Sequence, residues 1–322
     1  LIRRSLLGLT AVLGLAASGD AVRADNYPTR PVKILVGFAA GGAVDVIARA
    51  LGEQLSQQLG QPFIVESRPG AGSNLAAAET ARAEPDGYTL ILGTTGFAVN
   101  MTLFAKPGFD VDNLTPVSKV GEIAAVLAAN PNFPSNTVPE LVQAAKAKPG
   151  HLIYGSPGNG SSPHLAAELF QRMAEIKLTH VAYKGGTPAI TDVLGGHVPL
   201  IAVNILEALP HLQAGSLKAL AVTSSHRLSM LPNVPTVAES GYPGYSSATW
   251  YALFGPGKLP PEIVAKLNTA VQKALAEPRF RAKMEQVGGE VTASSPDELR
   301  AFVKAERAKW GQVVREAQIK AD

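Results

Sequence analysis

A chain of 322 residues that is 46% hydrophobic and 17% charged can bury a core large enough for two ordinary domains. It contains no cysteine, which excludes disulfides, thiolate metal sites and cysteine nucleophiles. Its formal charge is +3 and aromatics make up only 6%; no segment interleaves aromatic with basic residues, so no nucleic-acid partner is expected.

Residues 1–24 read as an export signal. Arg3 and Arg4 form a charged start, "LLGLTAVLGLAA" (6–17) is a short apolar stretch, and Val22 and Ala24 stand at −3 and −1 for cleavage before Asp25. The apolar stretch falls short of the roughly 20 residues a spanning helix needs. The paired arginines fit a general secretory or a twin-arginine route equally. Removing this segment takes away Arg3, Arg4, Arg23 and Asp20, leaving 26 basic and 25 acidic residues of the original 29 and 26. The basic excess therefore belongs largely to the signal, and no polyanion partner is implied.

The remaining chain alternates short apolar runs with helical patterns, which predicts an α/β fold with largely parallel sheets. "VKILVGF" (32–38), "PFIVES" (62–67) and "YTLILGT" (88–94) are expected strands, with "DVIARALGEQLSQQLG" (45–60) and "NLAAAETARA" (74–83) as helices between them. A second unit begins after "DNLTPVSKVGE" (112–122) with the strand "AAVLAANP" (124–131) and the helix "TVPELVQAAKAKPG" (137–150). That helix carries a capping box of Thr137 and Glu140, with Gly150 past its end. "HLIYGS", "THVAYKGG", "VPLIAVN" and "LKALAVTS" follow as strands, with a loop and helix over "SPGNGSSPHLAAELFQRMA" (156–174) and a helical "TPAITDVLGG" (187–196). After a proline-rich passage comes the strand "WYALFGP" (250–256). Two long helices then finish the chain, the second with Ser295 as N-cap, Pro296 at N1 and Glu298 at N3. Two α/β lobes result, with a return to the first at the end.

Three loops each follow an expected strand and open a helix: "FAAGGAVD" (38–45), "RPGAGSN" (68–74) and "GSPGNGSSPH" (155–164). In open α/β sheets such loops converge at the carboxyl ends of strands, where ligands bind. Helix amino ends carry unpaired N–H groups and partial positive charge, so they attract anions. A nucleotide fails on spacing, because there is no "GxxxxGK[ST]" and "GAGSNL" has Leu75 where a third glycine belongs. For hydrolysis, Ser161, Ser162 and His164 lie close together, and His180, His197 and His211 are candidate bases, yet neither "GxSxG" nor "SxxK" occurs. "HExxH" is absent and the six histidines are scattered, so no metal or cofactor is expected. What remains is a small carboxylate held by main-chain N–H groups and by hydroxyls such as those of Thr94, Thr95, Ser156, Ser161 and Ser162, with Arg68 and Lys184 beside the cleft.

These residues bring out a likeness. "YPTRPVKILVGFAAGGAVDVIARALGEQL", "RPGAGSNLAAAETARAEPDGYTLILGT", "YGSPGNGSSPHLAAELF", "HVAYKGGTPAITDVLGGHV", "LKALAVTSSHRLSMLPNVPTVAESGYPGY" and the late "KW" run in order over the whole chain after residue 24. They resemble the extracytoplasmic solute receptors of tripartite tricarboxylate transporters, the Bug family of periplasmic binding proteins. The resemblance implies a two-lobe Venus-flytrap fold of the second periplasmic-binding class with two inter-lobe crossings. Residues 25–124 and 241–322 would form lobe 1, and 125–240 lobe 2. It implies capture of a di- or tricarboxylate or an aromatic acid by lobe closure, with water bridging one carboxylate to lobe 1. The ligand would then pass to membrane transporter subunits that dock transiently. A monomeric, periplasmic, non-enzymatic receptor is expected; the alternatives are a secreted Ser/His hydrolase of carboxylic esters and a ligand sensor for a signalling partner.

Carried over by position, the ligand shell comprises Phe38, Ala40, Gly41, Gly42 and Asp45 from the first loop. Ala71, Gly72 and Asn74 come from the second, and Thr94 from the end of the third strand. Lobe 2 adds Ser156, Gly158, Gly160, Ser161, Ser162, His164, Ala182 and Tyr183. Asp45 fits helix capping as well as ligand contact, because an acid there repels a carboxylate unless water intervenes. The chain departs from the family pattern at Gly37 (commonly proline), Val44 (threonine), Ser73 (glycine), and at Pro199 and Val203, where acids are common. Losing an acid near the cleft argues for a plain organic acid over an amino acid.

Overall fold

The computed structural model describes residues 26–321; the export segment lies outside them. The first unit runs β1 (Val32–Val36), α1 (Ala43–Leu59), β2 (Phe63–Ser67), α2 (Asn74–Arg82), β3 (Thr89–Thr94) and α3 (Gly96–Leu103). β4 (Thr115–Ala129) leads into α4 (Val138–Ala147), β5 (Ile153–Ser156), α5 (Ser162–Ala174), β6 (Thr179–Ala182), α6 (Gly186–Leu194), β7 (Leu200–Asn204), α7 (Ile205–Gln213) and β8 (Lys218–Val222). The chain ends with β9 (Ala248–Gly255), α8 (Pro261–Ala276), α9 (Pro278–Gln286), β10 (Gly289–Val291) and α10 (Pro296–Glu316).

The strands follow the order β2-β1-β3-β9-β4-β7-β5-β6, with β10 and β8 also on β4. β1 pairs in parallel with β2 and β3, and β5 with β6 and β7, as the alternation of strands and helices predicts. The centre differs from the largely parallel expectation. β9 runs antiparallel to both β3 and β4, and β4 antiparallel to β7, β8 and β10. β4 spans both halves of the sheet: Thr115–Ala124 pairs with β9, and Ala125–Ala129 with β7. β3 and β4 run parallel to each other, joined through α3, and the returning β9 inserts between them antiparallel to both.

Alternating residues supply a core on each sheet face. Ile34 joins α1, α8 and α9 through Ile47, Ile263 and Phe280, whereas Leu35 joins α2, α3 and α10 through Ala77, Phe97 and Trp310. The polar anchor of the second core is Glu306 on α10. Its Oε2 accepts from Trp250 Nε1 at 3.1 Å and Trp310 Nε1 at 2.6 Å, and Lys309 pairs with its other oxygen.

The Ser295 capping box is complete, with Glu298 N donating to Ser295 Oγ and Ser295 N to Glu298 Oε2. At α4 the box is offset. Thr137 Oγ1 accepts from Glu140 N at 3.3 Å, but Glu140 takes the N–H of Asn136 rather than of Thr137. The first half of β4, α3, α7, α9 and β10 lie outside the elements expected from sequence. In β4 the run is interrupted by Lys119, Gly121 and Glu122, of which Lys119 and Glu122 pair at 2.6 Å. Gly121 is required there, because a Cβ would stand 2.5 Å from Glu290 O of β10.

β4 and the connection that enters β9 meet at Thr223, which is fully buried. Ala125 N on β4 donates to Thr223 Oγ1 at 2.9 Å, and that hydroxyl lies 2.7 Å from Ser247 O on the return connection. Ser247 N in turn donates to Thr223 O at 2.8 Å.

Candidate functional site

The carboxyl ends of β1, β3, β5, β6 and β7 open onto one cleft of about 660 Å³, walled on one side by α3 and floored by Thr249 and Tyr251 of β9. Of the residues expected from sequence, Phe38, Gly42, Ala71, Gly72, Thr94, Gly158, Gly160, Ser161, Ser162 and Tyr183 line it. Ala40, Gly41, Asp45, Asn74, Ser156, His164 and Ala182 do not.

The residues behind the wall have definite work. Asp45 is 4% exposed, and its Oδ2 accepts from Gly41 N at 3.0 Å and Arg49 Nε at 2.9 Å. The Arg49 hydrogen bond is the main reason its carboxyl sits below the ordinary carboxylate range, with burial opposing. Asp45 thus shapes its own loop. Asn74 Oδ1 accepts from Asn100 Nδ2 at 2.6 Å, and the same amide nitrogen donates to Gly72 O at 2.9 Å, so α3 fixes the turn at Ala71–Ser73. Ala182 and Ala40 are exposed outside the cleft.

In lobe 2, His164 is buried and its ring stacks on His180 at 3.9 Å between centroids; His180 also stacks on Tyr154. Burial first, and the neighbouring His180 second, pushes the His164 imidazole down to about 3. Its Nδ1 accepts the Gly160 N–H at 3.0 Å, which fits the neutral ring. Ser161 Oγ donates to Gly158 O at 2.8 Å and caps α5 by accepting from His164 N at 3.4 Å. Ser156 is fully buried, 2.7 Å from His180 Nε2. Neither Ser161 and His164 nor Ser156 and His180 present an accessible nucleophile beside a base, which the hydrolase alternative needs. Among the described residues no group of three or more His, Asp or Glu could hold a metal ion.

On the lobe 1 side α1, α2 and α3 all begin without a side-chain cap. Two of their first N–H groups already have acceptors, Asn74 N on Ala71 O and Gly96 N on Thr94 Oγ1 at 3.4 Å; the remaining first-turn N–H groups have no intrahelical acceptor. On the lobe 2 side α5 is capped by Ser161, while α6 and α7 begin without a side-chain cap. Glu207 is half-buried beside the start of α6, its Oε2 has no hydrogen-bond partner, and burial raises its pKa.

Two departures from the family pattern prove to be one feature. A Cβ at Gly37 would lie 1.8 Å from Ser73 Oγ and 2.6 Å from Ser73 Cα. Ser73, at a left-handed φ of 79° and 2% exposed, fills the space that a larger residue at 37 would need.

Asn100, Leu103, Phe104, Asn204, Thr249, Tyr251 and Ala321 also line the cleft and were not expected. Asn100, Leu103 and Phe104 follow an i, i+3, i+4 spacing, a helical signal hidden by the glycine and threonines before it.

The tripartite tricarboxylate transporter family receptor model matches residues 47–319. The chain belongs to this receptor family. Protein BugT of Bordetella pertussis is 37% identical over 319 residues, covering 97% of this chain and 98% of the relative. Among solved structures, R. palustris Rpa4515 with adipate is 36% identical with a TM-score of 0.78, covering 91% of this chain and 99% of the other. MatC from Rhodopseudomonas palustris with bound malate is 34% identical with a TM-score of 0.74, covering 89% and 100%. The fold is thus that of the family's two-domain binding proteins, as the resemblance implied.

Proposed function

We propose that this chain is a periplasmic receptor that captures a small organic carboxylate between its lobes and delivers it to a tripartite tricarboxylate-type membrane transporter. The observation that carries the reading is the convergence of three uncapped helix starts, those of α1, α2 and α3, on one side of the cleft. Each such end contributes about 0.3–1 kcal/mol toward an anion, more when partly buried. Together with hydrogen bonds they can reach the roughly 8 kcal/mol of a micromolar complex. Relatives solved with malate and adipate support the carboxylate class. The ligand shell is proposed as Phe38, Gly42, Ala71, Gly72 and Thr94 facing Gly158, Gly160, Ser161, Ser162 and Tyr183. Asp45, Asn74, Ser156 and His164 support these loops from behind.

Lobe 1 is proposed to hold residues 25–124 and the chain's end, and lobe 2 to begin at Ala125. Tyr245 Oη donates to Ala166 O of α5 at 2.8 Å and Tyr242 packs edge-on to Phe170, which supports a return crossing near Ser247 rather than at residue 241. The open form is favoured without ligand; a carboxylate bridging the lobes shifts the population to the closed form, which docks transiently on the transporter as a monomer. The absence of an acid in the cleft lining among the described residues favours an unaminated acid.

The test incubates the exported protein with a panel of carboxylates and their esters. Saturable thermal stabilisation by a carboxylate, with no product formed, is expected. Ester turnover lost on Ser161→Ala would replace this reading with the hydrolase.

A further inference from the structure

Helix α5 is fastened to lobe 2 along its middle and touches lobe 1 at both ends. Tyr245 Oη donates to Ala166 O at 2.8 Å, and Tyr242 packs edge-on to Phe170. Just before the first turn, Gly160 lies against Leu103, the last residue of α3. A Cβ at Gly160 would stand 2.7 Å from Leu103 Cδ2, and the glycine sits at a left-handed φ of 71°. In the last turn of α5, Arg172 Nε pairs with Oε2 of Glu316, the last residue of α10, at 2.8 Å. These contacts stand at opposite ends of a helix of 13 residues, about 20 Å long.

The groups that meet are rigid within their own lobes. α3 is tied to the Ala71–Ser73 turn through Asn100, and it lies on α10, where a Cβ at Gly311 would stand 3.0 Å from Thr102 Oγ1. Gly160 N is held by His164 Nδ1 at 3.0 Å. Lobes that part must therefore break both contacts rather than stretch a loop. Leu103 and Gly160 line the cleft, whereas Arg172 and Glu316 lie outside it. The segment after α10 connects the two places, because Ala321 is again in the lining.

We propose that α3 and α10 form a clasp on α5, an apolar seat at the cleft and an ion pair outside it, which sets how long the lobes stay closed. Arg172 and Glu316 then tune ligand retention without touching the ligand, because affinity scales with the fraction of closed form. This rests on the receptor reading and the lobe boundaries above and deepens them.

The chain has no cysteine, so Gln57→Cys on α1 and Lys146→Cys on α4, both exposed, place one spin-label pair across the lobes. Pulsed electron spin resonance measures the ligand-free distance in this background, in Arg172→Glu, in Glu316→Arg and in the double exchange. Stopped-flow tryptophan fluorescence times the release of adipate and of malate. Each single reversal should shift the distribution toward longer separation and speed release about fivefold, and the double exchange should recover most of both. The difference should narrow in about 0.5 M salt, with all four melting within about two degrees of one another. Leu103→Ala should lengthen the ligand-free distance as well. The same distribution in all four proteins, or a double exchange no better than the single reversals, overturns the ion-pair half of the clasp; an unchanged distribution in Leu103→Ala overturns the apolar half. Binding of neither acid, with aromatic acids and tricarboxylates also silent, overturns instead the receptor reading, and the ligand-free distances still decide the clasp.

Discussion

The junction of the lobes depends on one hydroxyl, and Thr223→Val tests how much. Valine keeps the shape of threonine but cannot accept the Ala125 N–H or donate to Ser247 O, contacts of 2.9 and 2.7 Å in a fully buried site. Leaving one buried donor unsatisfied costs about 1–3 kcal/mol. Ser247 O, on a residue 2% exposed, loses its donor as well, so a loss of about 2–3 kcal/mol is expected from the pair. Thr223→Ser keeps the hydroxyl and removes a methyl group, a change of about 1 kcal/mol in a core that does not collapse around it. Urea unfolding of the three proteins, followed by tryptophan fluorescence, gives the comparison. Trp250 lies three residues past Ser247 and reports on the return connection. The order wild type, serine, valine is the expected result. Valine within 0.5 kcal/mol of wild type, or serine less stable than valine, would refute the claim that the hydroxyl, not the packing, ties the connections.

Other expectations follow from the same kind of accounting. Glu306→Ala strands two indole N–H groups that now share its Oε2; a loss of about 2–4 kcal/mol is expected in denaturant unfolding, and Glu306→Gln, which keeps an acceptor, should lose less. Gly37→Ala places a Cβ 1.8 Å from Ser73 Oγ, so a cost of at least about 1–3 kcal/mol is expected. Ser73→Gly should restore only part of the thermal stability, because Ser73 Cα would still be 2.6 Å away. His164 takes a proton in the folded state only near pH 3, against an ordinary value of 6.5. Between those values the unfolded chain binds the extra proton, so stability present above pH 6.5 is lost as pH falls through that window. At pH 4.5 this amounts to about 2–3 kcal/mol relative to neutral pH. His164→Gln can still accept the Gly160 N–H but does not titrate, so the acid-side slope of its unfolding free energy should be shallower than wild type. Equal slopes would count against a neutral, buried His164.

What was legible in the sequence follows how local each signal is. The parallel strands of both lobes could be placed because each is a short apolar run closed by a glycine loop and followed by a periodic helix. β4 could be recognised only in its second half, "AAVLAA", because its first half pairs with strands that arrive from beyond residue 247. Its Ser118, Lys119 and Gly121 have roles that only those partners explain: Ser118 Oγ lies 3.0 Å from Ser294 O, for example. α9 shows the same limit. Its surface is polar, and only Phe280 and Met284, four residues apart, reach the core.

The cleft divides along the same line. The loops were found by glycine content, and that signal placed both lobes' loops on an equal footing as carriers of free N–H groups. The distinction between them depends on which of those groups already have acceptors. For α5 the answer was local: Ser161 precedes Ser162, Pro163 and His164, an N-cap followed by proline early in the first turn. For α6 it was not: its start has no side-chain cap and lies against Glu207, across an intervening helix and strand, where a Cβ at Gly186 would stand 2.3 Å from Oε2. The proposal of an unaminated acid rests on the lining alone: Asp45 answers Gly41 and Arg49 behind the wall, and the lining offers a ligand ammonium no carboxylate among the described residues.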